Sequence, residues 1–81
     1  MARLPQVSGK SLIKMLEALG YGIVRRKGSH VRLTKMTATG EHHLTVPNHK
    51  TLAKGTLNDI LSSVSVQNGI PRVELVTRLK S

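Results

Sequence analysis

The stretch at residues 21–36, YGIVRRKGSHVRLTKM, decides the fold. Two β-capable runs flank Gly28-Ser29, a pair that suits a two-residue hairpin loop with positive φ at its first position. That register pairs Lys27 with His30, Arg26 with Val31, Arg25 with Arg32 and Val24 with Leu33. Successive side chains on a strand point to opposite faces. Val24, Val31 and Leu33 therefore form an inner face, while Arg25, Lys27, His30 and Arg32 form an outer, cationic one.

Working outward, an exposed tip at TATGE (37–41) leads to a third strand, HHLTVP (42–47), stopped by Pro47. Leu44 and Val46 point inward there, His43 and Thr45 outward, and NHKTLAK (48–54) reads as a polar loop. Upstream, SGKSLIKMLEALG (8–20) reads as a helix: Ser8 is its N-cap, and Gly20 takes the left-handed position after its end. Leu12, Met15, Leu16 and Leu19 form the buried stripe, with Ile13 and Lys14 away from its centre. Downstream, GTLNDILSSV (55–64) begins a second helix, where Thr56 and Asp59 resemble a capping box. Its stripe is Leu57, Ile60, Leu61 and Val64, and Asn68-Gly69 ends it. Pro71 opens a short last helix, about 71–80, with Val73, Val76 and Leu79 as apolar positions.

The expected fold class is α+β, in the order α-β-β-β-α plus a C-terminal helix. Two helices cover one face of a three-stranded antiparallel sheet. One domain over residues 1–81 is expected, its core at about 4–70.

Composition narrows the function. No cysteine is present, so neither disulfides nor a thiolate zinc site support this small core. Tyr21 is the sole aromatic residue, which excludes modules that stack bases on aromatic platforms. Thirteen Lys and Arg against four acids give a formal charge of +9, which favours a polyanionic partner. No apolar run approaches the roughly 20 residues that span a bilayer. The N-terminal residues lack the apolar centre of a signal peptide. A cytoplasmic, nucleic-acid-directed protein is the expectation, with no membrane association.

The four histidines, His30, His42, His43 and His49, have no cysteine and few acids near them, so no metal site or cofactor is expected. Two-metal nuclease chemistry needs clustered acids. The enzyme reading thus turns to metal-independent RNA cleavage, with the 2′-hydroxyl as nucleophile. Histidine suits proton transfer there, as base or acid, because its ordinary pKa lies near working pH. Cations on the same face supply the electrostatic part. On spacing alone, a histidine after Gly-Ser is more often an exposed polar residue at the mouth of a hairpin, with catalysis the minority reading. A non-catalytic RNA-binding module and a module that only meets an acidic protein are the other classes left open.

The strings LPQVSGKSLIKMLEALGY, RRKGSHVRL, LTVPNHK and KGTLNDIL, in that order, resemble the HicA toxin family of bacterial toxin–antitoxin systems. The resemblance spans about residues 4–70. It implies a fold like the double-stranded-RNA-binding domain and an mRNA-cleaving endoribonuclease, neutralised by a HicB antitoxin. The family's catalytic histidine falls on His30, with Gly28 and Ser29 shaping the turn that presents it. Pro47 and His49 match a second motif, in which His49 is a secondary acid–base group or a structural hydrogen-bonder. Gly55 and Thr56 match a third, explained by helix capping. RNA contact is expected from Arg25, Arg26, Lys27, Gly28, Ser29 and Arg32, and from Lys50 and Lys54 before the second helix.

Overall fold

Ser8 opens the first helix as its sequence suggests: extended at φ −85°, it accepts the Ser11 N–H at 3.0 Å through its side chain. The computed structural model describes residues 4–80, and α1 runs from Gly9–Ala18. Gly20, at φ +106°, turns the chain out of that helix. Three strands follow, β1 (Gly22–Lys27), β2 (His30–Thr37) and β3 (Gly40–Pro47), then α2 (Lys54–Asn68) and α3 (Arg72–Lys80). The sheet is an antiparallel meander in the order β1-β2-β3. This is the α-β-β-β-α arrangement with an added C-terminal helix.

Alternation sorts β2 and β3 cleanly. Val31 pairs with Val46 and Leu33 with Leu44, and all four are buried. They pack with Leu12, Ile13, Met15 and Leu16 of α1 and Leu57, Ile60, Leu61 and Val64 of α2 in one hydrophobic cluster. Arg32, His43 and Thr45, between them on the strands, are exposed. One face of the sheet is therefore roofed by helices and the other is bare.

Four expectations need correction. In β1 the pairing runs Lys27–His30, Arg26–Val31 and Arg25–Arg32, but a bulge then places Ile23, not Val24, opposite Leu33. Val24 is 58% exposed. Strict alternation from Lys27 would have turned Ile23 and Tyr21 outward. The extra residue reverses the phase, so that Ile23 packs on the core and Tyr21 is buried. In α1, Ile13 is buried because the helix lies between the sheet and α3 and needs a broader apolar stripe. No capping box forms in α2, which starts at Lys54, two residues before Thr56. Its N-cap is Ala53, with no side-chain hydrogen bond. In α3, Val73 is 71% exposed, and Leu75 is the fully buried residue.

The last helix is held by apolar packing on the core and by hydrogen bonds from its first residue to α2. Leu75 enters the core, with Val76 and Leu79 partly buried against it. The Arg72 guanidinium donates to Ser62 Oγ at 2.6 Å and to Asn58 Oδ1 at 2.7 Å.

At the far end of the inner face, hydrophobic packing gives way to a polar chain. Asn68 Nδ2 donates to the Tyr21 hydroxyl at 2.9 Å, and that hydroxyl meets His42 Nδ1 at 2.6 Å. His42 Nε2 lies 2.8 Å from Ser63 Oγ, and Lys35 Nζ donates to Asn68 Oδ1 at 2.5 Å. With Asn68 already donating to the phenol oxygen, the phenol proton goes to Nδ1, and the neutral imidazole donates from Nε2. Burial lowers the pKa of His42, reinforced by the neighbouring charge of His43. Burial also raises that of Tyr21, against the lowering effect of the Asn68 bond.

Candidate active site: a cationic groove on the bare face of the sheet

Gly28 has φ +58° and, among the described residues, none other than glycine has positive φ, so the loop turns on Gly28 alone, as a type II′ hairpin requires. A Cβ at Gly28 would meet nothing within 4 Å, so glycine is needed there for its dihedral angle rather than for space. The turn sets Lys27 against His30, and their side chains share the outer face with Arg25 and Arg32. Arg25, Lys27, Gly28, His30, Arg32 and Thr45 together line an open groove of about 470 Å³. No carboxylate contributes to it.

Backbone bonds fix the groove to the rest of the fold. The Asn48 N–H donates to the Ser29 carbonyl at 2.6 Å, tying the chain after β3 to the hairpin turn. The Gly9 N–H donates to the His49 carbonyl at 2.9 Å, and the Leu52 N–H to the Val7 carbonyl at 2.8 Å. The first turn of α1 thereby seats on the segment that follows β3. The approach is so close that a Cβ at Gly9 would overlap the Pro47 carbonyl oxygen and the Asn48 Cα. Glycine here is a packing requirement.

The other expected site residues are dispersed. Arg26 pairs with Val31, on the inner-face phase, and is exposed away from the groove. Ser29 contributes its carbonyl to the Asn48 bond, and its side chain is not part of the groove lining. Lys50 lies exposed in the loop and Lys54 at the start of α2, and neither reaches the groove. His49 is exposed, and its defined contact is the carbonyl bond to Gly9. Thr45 is the groove residue absent from the expected set. Its signal lay in the β2–β3 register, which places it opposite Arg32. That register follows from the tight connection between Thr37 and Gly40, shorter than the tip expected at 37–41, so that β3 begins at Gly40 rather than at residue 42.

The histidines separate according to face. His42 and His43 stand on opposite sides of β3, His42 in the inner polar chain and His43 outside, 2.9 Å from Glu41 Oε1. Among the described residues, no three His, Asp or Glu side chains converge.

The family profile described as "HicA toxin of bacterial toxin-antitoxin" matches residues 9–66. The chain belongs to the HicA toxin family. Neither the curated proteins nor the solved structures contain a significant match to it. The HicA match begins at Gly9, the residue pressed against Pro47 and Asn48, and takes in the whole hairpin and groove. Membership makes this a toxin of a toxin–antitoxin pair, whose counterpart is a HicB-type antitoxin. No helix among the described residues is long and apolar enough to cross a membrane.

Proposed function

We propose that this HicA-family toxin is an endoribonuclease that cleaves mRNA in the cytoplasm without a metal ion, with His30 as its general base. The observation that carries this reading is the groove itself. An exposed imidazole stands among Arg25, Lys27 and Arg32 in a groove whose lining holds no carboxylate. A phosphodiester entering the groove is drawn to the guanidinium and ammonium groups. His30 then takes the proton of the adjacent 2′-hydroxyl, and the cations offset the charge that builds on phosphorus. DNA, lacking that hydroxyl, is not a substrate.

Regulation follows from exposure. The groove is open on the bare face of the sheet, so a HicB-type antitoxin that covers it stops both RNA entry and proton transfer. An acidic surface on that antitoxin is the natural complement of a chain with a formal charge of +9.

The test is cleavage of RNA by purified protein in EDTA, comparing wild type with His30→Ala. Wild-type cleavage that the substitution abolishes supports the reading. Retained cleavage in His30→Ala removes the histidine from its role, and a strict metal requirement removes the mechanism. Duplex RNA bound tightly and never cut would instead identify a binding module.

A further inference from the structure

Building on the ribonuclease reading, we propose that Lys27 is the second proton-transfer group, the acid that protonates the departing 5′-oxygen while His30 acts as base. Cleavage within the groove needs a proton donor opposite the base, and few side chains there can serve. Arg25 and Arg32 line it, but guanidinium groups hold their protons throughout the working range. They carry charge without transferring it. The Thr45 hydroxyl is a far weaker acid than an ammonium group, and Gly28 has no side chain. His49 does not line the groove; its defined bond is the backbone one that its carbonyl accepts from the Gly9 N–H. Lys27 is what remains.

Its placement fits the task. Lys27 and His30 are cross-strand partners on either side of the turn, and they share the outer face. Such partners hold their Cβ atoms about 4.5–5.5 Å apart. The imidazole is short and stiff, whereas the lysine stem carries Nζ four carbons beyond the backbone. The two groups can therefore bracket one phosphate from neighbouring anchor points. Neither carboxylate ion pair among the described residues involves Lys27, so no salt bridge holds its ammonium group elsewhere. An alkylammonium is a stronger acid than water by roughly five powers of ten, which makes it an effective donor to an alkoxide leaving group.

The step balances without a co-reactant. His30 accepts the 2′-hydroxyl proton as O2′ bonds to phosphorus. The P–O5′ bond breaks with its electron pair on O5′, and Lys27 gives that oxygen a proton. The products are a 2′,3′-cyclic phosphate and a 5′-hydroxyl end. His30 is left as imidazolium and Lys27 as amine, and both, being exposed, exchange protons with solvent to reset.

A leaving-group substitution separates proton donation from phosphate binding. Two RNA substrates are compared, one natural and one with sulfur in place of the scissile 5′-bridging oxygen, because a thiolate departs without protonation. Lys27→Ala should cleave the natural substrate about 10²–10⁴-fold more slowly. On the sulfur substrate it should fall within a few-fold of wild type. Lys27→Arg keeps the charge but not the transferable proton, and should show the same selective rescue. His30→Ala should stay slow on both substrates. Equal slowing of the Lys27 variants on both substrates would overturn the assignment and leave Lys27 as a phosphate contact. Wild-type protein that cleaves neither substrate would overturn the ribonuclease reading itself, before any variant is compared.

Discussion

His30 and His42 occupy opposite faces of one sheet, and their surroundings differ in every respect that governs a histidine. His30 is exposed among cations at the hairpin mouth. His42 is half-buried, with the Tyr21 hydroxyl on one ring nitrogen and Ser63 on the other. The ring that the fold engages on both nitrogens is committed to stability. The ring left open on a bare face is available to a substrate. What separates them is a covering layer: helices lie over one side of the sheet and not the other.

The largest effect expected is on His30. His30→Ala should reduce RNA cleavage by about 10²–10⁴-fold, while urea unfolding shows its stability unchanged within about 0.5 kcal/mol. Loss of both together would erase the contrast between the two rings. For His42 the pattern should invert. His42→Ala leaves the Tyr21 hydroxyl and Ser63 without their partner, which should cost about 1–3 kcal/mol in chemical denaturation. Cleavage measured well below the unfolding transition should be retained.

A subtler separation comes from pH. Burial, helped by the charge of His43, lowers the pKa of His42 in the folded protein below the ordinary 6.5. The unfolded chain therefore binds more protons than the native one just below pH 6.5. The stability due to neutral His42 is complete above that pH and is lost as pH falls through the lowered value. Urea midpoints at pH 7.5 and 5.5 should show a decline at the lower pH that is smaller in His42→Gln. An identical decline in both proteins would show that His42 is not its source. The smallest effect is expected at the groove's edge. Arg25→Ala should flatten the log–log salt dependence of RNA binding by about 0.7–0.9. Its melting temperature should not change.

Much of this contrast was legible in the amino-acid order. The Gly28-Ser29 turn signal and the alternation of β2 place His30 beside Arg25, Lys27 and Arg32, as the structure has them. The inner stripe of α2 is as its spacing indicates. The polar chain around His42 was not legible, because it depends on a bulge at Val24 that reverses the phase of β1 and turns Tyr21 inward. A bulge inserts one residue with no compositional mark when the flanking residues are all β-formers, as Ile23 and Val24 are. Thr56 misleads for another reason. A Thr three residues before an acid looks like a cap, but the loop delivers the chain into helical geometry two residues earlier, at Lys54. Leu75 was hidden because α3 is short, and its burial is set by where Arg72 anchors it on α2.

The bond from the Asn48 N–H to the Ser29 carbonyl has a consequence for how such a groove can diversify. It joins main chain to main chain, so it is indifferent to which side chains either residue carries. The anchoring of the turn is thus separated from the chemistry displayed beside it. Residues at positions 25, 32 and 45 can be exchanged like tools on a fixed handle, retuning which RNA is gripped without moving the histidine that would cut it.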